Sequence, residues 1–255
     1  MNRLEGRQCI FAALTARQRK FEVILCAWNA NPEKTGPVLE LARKMNVPVK
    51  QVSPEEIDAA AQGGTHGGLV AICTPKPLTP VNELFQIVKS KNTRPFLLLL
   101  EGVEDEQNLG FVIRTAWAMG VHAVMLKKHI WNFDSVTLSR TSAGAYELMP
   151  LVKVEKDSDT LLELKKSGLK LYGALPNAKK PMYDVDLAAP VIIALGGEKR
   201  GLSGAVRAFC NGVFSIPMPA RETAAEIDGN AIASLSLSHA SAIILSEVMR
   251  QRTNM

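Results

Sequence analysis

Asn108 and Arg114 stand six residues apart just after an apolar run, and their side chains suit work on a phosphate-bearing substrate. An Asn amide offers donors and an acceptor, and Arg is a fixed cation whose fork matches phosphate. The run before them, Phe96 to Leu100, suits a buried parallel strand, and an acidic, polar turn follows it. Gly110 to Met119 reads as a short helix closed by Gly120. Ligands of open α/β sheets bind beyond the carboxyl ends of strands. That places Asn108 in the loop where chemistry would occur and Arg114 about one turn into the helix. Taken alone, a helix cap and a solvated arginine would account for the pair equally well.

A second apolar strand, Val191 to Leu195, runs straight into Gly196-Gly197-Glu198-Lys199-Arg200-Gly201-Leu202-Ser203. The spacing of Gly196 and Gly201 is that of a phosphate loop, but Leu202 stands where the phosphate-reaching lysine belongs. The dinucleotide fingerprint is absent from this turn as well. A strand followed by Gly-Gly-Glu can still cradle a nucleoside through backbone groups. Glu198 would then serve a ribose hydroxyl or a cation.

The elements that position these residues need a sizeable chain. The protein has 255 residues, 47% of them hydrophobic, enough for one large domain or two smaller ones. A net charge of +5 is compatible with a polyanionic partner and equally with an ordinary enzyme. Cys9, Cys26, Cys73 and Cys210 form no C-x-x-C, and with His66, His122, His129 and His239 they match no metal-ligand spacing, so no metal is expected. Scattered cysteines suit a reducing compartment. Arg3, Glu5 and Arg7 rule against a signal peptide at the start, and no apolar run reaches membrane-spanning length. The reading is a cytoplasmic protein without membrane contact.

Along the chain, Leu4 to Ala16 reads as a helix, Phe21 to Trp28 as a strand, Val38 to Met45 as a helix and Val47 to Val52 as a strand. Ser53-Pro54-Glu55-Glu56 is a capping box that opens a helix to about Gln62, and Leu69 to Cys73 is a strand. Residues 1–73 thus form a small α/β unit. Arg3, Arg7, Arg17, Arg19 and Lys20 are either a solvated face or phosphate contacts, and His66 sits in a glycine-rich turn that RNA could approach. Pro75, Pro77 and Pro80 stiffen a connector over 74–95. Residues 96–255 form the second domain. There Asp134 caps a helix to Ser142, Ser142 to Ala145 is a small-residue turn open to ligand approach, and Leu148 to Val154 is extended. Ser158 to Ser167 is a helix, Lys170 to Ala174 and Gly212 to Ile216 are strands, and Asn230 to Arg250 is the terminal helix.

Three segments together resemble the SpoU family of RNA ribose methyltransferases. Glu104 to Gly110 with Arg114-Thr115-Ala116 resembles the first motif, Leu195 to Leu202 the second, and Ile216-Pro217-Met218 with Ser234-Leu235-Ser236-Leu237-Ser238 the third. Residues 1–73, with Gly6 and His66-Gly67-Gly68-Leu69, resemble the ribosomal-protein-like substrate-binding domain that many members carry. The resemblance implies an α/β fold of the SPOUT superfamily with a deep trefoil knot, a homodimer, and S-adenosyl-L-methionine (AdoMet) as methyl donor to a ribose 2′-hydroxyl. By the same resemblance Gly196, Gly197, Ile216, Met218 and Leu235 hold the cofactor. Asn108, Arg114, Glu198, Ser234 and Ser236 form the polar catalytic site, and Arg7, His66 and Arg114 meet RNA. Its two-domain form favours ribosomal over transfer RNA.

Two departures from the family pattern bear on activity. Ser236 stands where the third motif usually has Asn, and the stretch between Met218 and Ser234 is about ten residues longer than usual. Asn230 is one possible substitute for the missing amide. Two other readings follow, a non-catalytic RNA-binding or ribosome-assembly protein on the same fold and a transfer RNA 2′-O-ribose methyltransferase. A small-molecule α/β enzyme built on the glycine turn is a third, and it predicts no RNA affinity.

Overall fold

Gly6 decides how the chain begins. Its φ of 84° lies in the region that favours glycine. It turns a strand, β1 (Asn2–Glu5), directly into a helix, α1 (Arg7–Ala16). The helix expected from Leu4 is therefore shorter, because Leu4 and Glu5 pair in a ladder with Ala71 and Val70. The computed structural model describes residues 1–63, 66–90, 94–127, 133–154, 159–218, 226–227, 230–231 and 235–253, with the backbone alone at 226–227 and 230–231.

After α1 come β2 (Phe21–Ala27), α2 (Pro32–Lys44), β3 (Val49–Val52), α3 (Pro54–Ala60) and β4 (Leu69–Cys73). The strands form one sheet in the order β1-β4-β2-β3, with β2 and β3 parallel and the other pairs antiparallel. α2 starts six residues before the expected Val38 because the Asn31 side chain accepts the N–H groups of Glu33 and Lys34, and Pro32 takes the first helical position. The capping box at Ser53 forms as its spacing demands. Leu4, Ile10, Leu14, Ile24 and Leu69 are wholly buried in the core beneath.

Downstream lie α4 (Val81–Lys89), β5 (Phe96–Glu101), α5 (Glu106–Ala118), β6 (Ala123–Lys127), α6 (Ser135–Thr141), α7 (Ala145–Leu148), β7 (Leu151–Lys153), α8 (Asp159–Lys166), β8 (Lys170–Ala174), β9 (Val191–Gly196), α9 (Gly204–Phe209), β10 (Gly212–Phe214), β11 (Glu226–Ile227), β12 (Asn230–Ala231) and α10 (Leu237–Thr253). Six strands make an all-parallel sheet in the order β10-β8-β9-β5-β6-β7. The connections diverge on either side of the β5–β9 pair. A crevice therefore opens beyond the carboxyl ends of these two strands, where open α/β sheets bind ligands. Phe96 to Leu100 and Val191 to Leu195 are buried on both faces, which is why they read as unbroken apolar runs.

The chain divides by contacts into two compact units, and the division does not fall at a single point in sequence. One unit holds Met1–Pro77, Leu109–Arg114 and the stretch carrying α6 and α7; the other holds the remainder, including the parallel sheet. Within the first unit Gly144, at φ 87°, lies against α1. A Cβ there would come within 2.8 Å of the Gln8 carbonyl oxygen. The small residues of the Ser142–Ala145 turn thus allow helices to touch, and the ligand approach expected there gives way to packing.

Arg19 is neither solvated nor free for phosphate. Its Nε and Nη2 donate to Glu147 at 2.7 and 3.0 Å, Nη1 donates to the Thr74 carbonyl, and each side chain of the ion pair is 1% exposed. Burial works against the guanidinium charge, but the Glu147 hydrogen bonds outweigh it and raise the pKa of Arg19.

Lys76 closes the same region. Its ammonium donates to the carbonyls of Tyr146 and Met149 at 2.5 and 2.6 Å and lies 4.9 Å over the Tyr146 ring. Burial pushes Lys76 from 10.5 down to about 8. Between those values the unfolded chain holds the proton more tightly than the folded one, so stability from this group rises with pH across the interval and its burial cost is full below it. Wild type should gain about 2 kcal/mol relative to Lys76→Met between about pH 7.5 and 9.5, read from urea midpoints. Parallel pH profiles for the two proteins would contradict this.

Candidate active site

The acidic turn after β5 is the start of a helix. Asp105 accepts the N–H groups of Gln107 and Asn108 at 2.7 and 3.2 Å, so α5 begins at Glu106 and not at Gly110. Asn108 consequently sits in the first turn of α5 and not in a loop, and Asp105 is the cap. From there the Asn108 Nδ2 donates to Glu198 Oε1 at 2.8 Å, and its Oδ1 accepts the Ser238 hydroxyl at 3.1 Å. Three segments far apart in sequence meet in this way: the start of α5, the loop after β9 and the first turn of α10. Arg114 is exposed on α5, six residues beyond Asn108.

Glu198 is held by the glycine turn, whose geometry differs from the simple cradle expected of it. A Cβ on Gly196 would fall 2.0 Å from the Gly201 carbonyl carbon, and one on Gly197 would fall 2.1 Å from the Gly102 oxygen. Gly197 donates its N–H to Glu101 at 2.6 Å, and Gly201 donates back to Gly197 at 2.9 Å. Gly197 lets the β9 loop lie backbone to backbone on the β5 loop, and Gly196 lets the β9 loop fold back against its own end at Gly201 and Leu202. Gly196→Val should therefore cost about 3 kcal/mol or more in stability as well as cofactor binding. Thermal denaturation beside calorimetry with AdoMet would check this, and an unchanged melting temperature would show that the loop relaxes.

These two loops enclose a cleft of about 280 Å³ lined by Gly102, Val103, Glu104, Asp105, Gly197, Glu198, Lys199 and Leu237. Its charged lining is three carboxylates against one ammonium, and the Lys199–Glu104 pair at 2.5 Å is mostly exposed. An acidic cleft with an apolar wall and backbone groups at its edge fits a cationic nucleoside.

Ser236 caps α10 by accepting the His239 N–H at 3.3 Å, and its hydroxyl lies 2.9 Å from Ser238 Oγ and 2.6 Å from His239 Nδ1. The sequence reading missed Ser238 and His239 as site residues. The signal available was the alternation of serines at 234, 236 and 238 followed by His239. Of the expected cofactor-holding side chains, Met218 and Leu235 are exposed and Ile216 is half-buried. Ser234 lies outside the described residues, as does most of the long stretch before it. Within that stretch Glu226–Ile227 pairs antiparallel with Asn230–Ala231. The terminal helix therefore starts at Leu237 and not at Asn230, and the Asp228-Gly229 dipeptide was the hairpin signal in the sequence.

Of the expected RNA contacts, Arg7 is exposed at the first position of α1. His66 is committed within its own unit. Its Nδ1 accepts the Gly68 N–H at 3.1 Å, which leaves Nε2 to donate to Asp58 at 2.9 Å, and the side chain is 16% exposed.

Known proteins share this chain's sequence pattern and fold. Residues 95–246 match the SpoU rRNA Methylase family, and residues 3–79 match the RNA 2′-O ribose methyltransferase substrate binding domain. The 23S rRNA (guanosine-2′-O-)-methyltransferase RlmB of Xanthomonas axonopodis pv. citri is 36% identical over 91% of this chain and 88% of its own length. The enzyme of that name from Pseudomonas aeruginosa is 31% identical over 97% of this chain and 96% of its own. The crystal structure of the SpoU methyltransferase AviRb from Streptomyces viridochromogenes, in complex with the cofactor AdoMet, superposes with a TM-score of 0.78 at 22% identity, covering 99% of this chain and 91% of that one. Among the described residues no helix is long and apolar enough to cross a membrane. With both family models matched in order and curated relatives aligned along nearly the whole length, the chain belongs to the SpoU rRNA methylase family of RNA 2′-O-ribose methyltransferases.

Proposed function

We propose that this protein methylates the 2′-hydroxyl of a guanosine ribose in large-subunit ribosomal RNA, with AdoMet as donor. The observation that carries the reading is the Glu198–Asn108–Ser238 network beside the acidic cleft, formed by the residues of the three motifs. The curated relatives named above act on that RNA and support the choice of target.

When bound, AdoMet supplies an electrophilic methyl group on a charged sulfonium. Gly196, Gly197, Ile216, Met218 and Leu235 would hold it, the last three from the stretches flanking the long insertion. The carboxylates of Glu104, Asp105 and Glu198 favour its positive charge. Asn108, fixed at both ends of its amide, offers a rigid polar wall to the reacting ribose. Ser234 belongs to the same set by its motif. Arg114 clamps a neighbouring phosphate and stabilises the alkoxide as the hydroxyl proton passes to solvent water, a task for a group that keeps its charge. Alignment of hydroxyl and methyl supplies much of the remaining acceleration.

Residues 1–73 bind RNA and residues 96–255 carry the transfer, joined through 74–95. Arg7 contributes a phosphate contact and His66 shapes the adjoining turn. The protein acts in the cytoplasm as a homodimer, and the exposed Phe111 and Trp117 on α5, each at 45%, suit burial against a second copy.

The test is methyl transfer from labelled AdoMet to unmodified large-subunit ribosomal RNA and to transfer RNA, offered separately, followed by mapping of the labelled ribose. Label at one guanosine of the ribosomal RNA is expected. Label only on transfer RNA would move the target. Absence of label, in a protein that still binds RNA, would favour a non-catalytic binding role.

A further inference from the structure

The hydroxyl of Ser236 has more neighbours than a helix cap requires. It touches the His239 N–H, the His239 ring at Nδ1 and the Ser238 hydroxyl, and the chain of contacts continues through Asn108 to Glu198. The direction of every proton in this chain follows from its far end. Glu198, as a carboxylate, only accepts, so Asn108 must turn its Nδ2 toward it and its Oδ1 toward Ser238. Oδ1 only accepts, so Ser238 spends its single proton there. Ser238 must then accept from Ser236, which spends the proton of Ser236. What remains on Ser236 is two lone pairs. One takes the His239 backbone N–H and the other faces His239 Nδ1 at 2.6 Å. Nδ1 must carry a proton. In the opposite assignment, with Nδ1 accepting, the two serine oxygens would meet at 2.9 Å with lone pairs opposed.

We propose that His239 is a positioning residue of the methyl-transfer site: its Nδ1–H, acting through Ser236 and Ser238, locks the orientation of the Asn108 amide against Glu198. The inference rests on the methyltransferase reading for its functional meaning, but the hydrogen-bond order itself does not. By donating to the Ser236 oxygen from one turn further along, the His239 Nδ1–H leaves the Ser236 proton no acceptor but Ser238 and so makes position 236 a committed donor. An Asn at 236 would carry such a donor itself. The departure from the motif at 236 and the histidine at 239 form one unit. On a neutral ring, Nε2 is left with its lone pair.

Nitrogen-resolved imidazole spectra of the ¹⁵N-labelled full-length protein, without RNA or AdoMet, decide the order directly, with the His239 signals identified by their loss in His239→Ala. With spectra taken at a pH where the ring is neutral, the expected result is protonation on Nδ1, which reverts to protonation on Nε2 in Ser236→Ala. Protonation on Nε2 in the wild type would overturn the proposal. In transfer assays with unmodified large-subunit ribosomal RNA, His239→Ala should lower kcat about tenfold with KM for RNA unchanged within about twofold. His239→Asn, whose amide donor reaches the place of Nδ1–H, should keep more than about half of the activity. Equal losses in the two variants, or none in either, would overturn the positioning role. An inert wild type would overturn the methyltransferase reading instead, and the tautomer would still decide the network.

Discussion

Arg114→Ala is expected to lower kcat for methyl transfer by at least about 100-fold while leaving AdoMet affinity within about twofold of wild type. Arg114 is exposed on α5, and the clamp proposed for it is made with substrate, not with the protein interior. Its removal should therefore leave the fold and the cleft intact. A guanidinium does not give up its proton readily in a protein, so the loss should come from a missing positive charge at the developing alkoxide. Arg114→Lys sharpens the point. A lysine keeps the charge but not the fork, so it should recover part of the rate if charge is what matters and little of it if two-point phosphate geometry matters more. Single-turnover rates with equilibrium AdoMet titrations would separate the two, and wild-type activity in Arg114→Ala would remove the residue from the reaction.

Arg19→Leu should be the most damaging single change to stability, at about 3–5 kcal/mol. The substitution leaves the Glu147 carboxylate inside the protein with its partner gone, while the pair itself is almost without solvent contact. Replacing both residues, as Arg19→Leu with Glu147→Leu, should recover most of the loss, because burying two apolar side chains avoids desolvating either charge. Urea midpoints of the two single variants and the double variant measure this. A double variant no better than Arg19→Leu would mean that the pair is held for geometry and not for charge. The same contact bears on truncation. Removing residues 1–73 takes away Arg19 and the face of α1 on which Gly144 rests, so α6 and α7 should lose protection from amide exchange even where the parallel sheet keeps it.

The sequence by itself determined a good part of this protein. The two unbroken apolar runs identified the buried central strands β5 and β9, because only strands covered on both faces tolerate such runs. The glycine turn after β9 and the Asn and Arg after β5 point to the carboxyl end of the sheet, where open α/β sheets bind ligands. The capping box at Ser53 was readable because both of its hydrogen bonds are local in sequence. Asp105 is the cap of α5 and not part of the turn expected before it, and Asp228-Gly229 is a hairpin signal just ahead of the helix expected from Asn230.

Other features existed only once the chain had folded. Arg19 looked like one more cation in a basic cluster, and nothing local distinguishes it from Arg17 or Lys20. Its role depends on Glu147, 128 residues away. Gly196 and Gly197 likewise make way for backbone that folding brings against them, at Gly201 of the same loop and at Gly102 after β5. Ser238 and His239 are marked in the sequence only by the alternation of serines before them, and their partners come from both neighbouring and distant segments. A hydroxyl has one proton to give, and which neighbour receives it is settled by where every other donor and acceptor in the network already points.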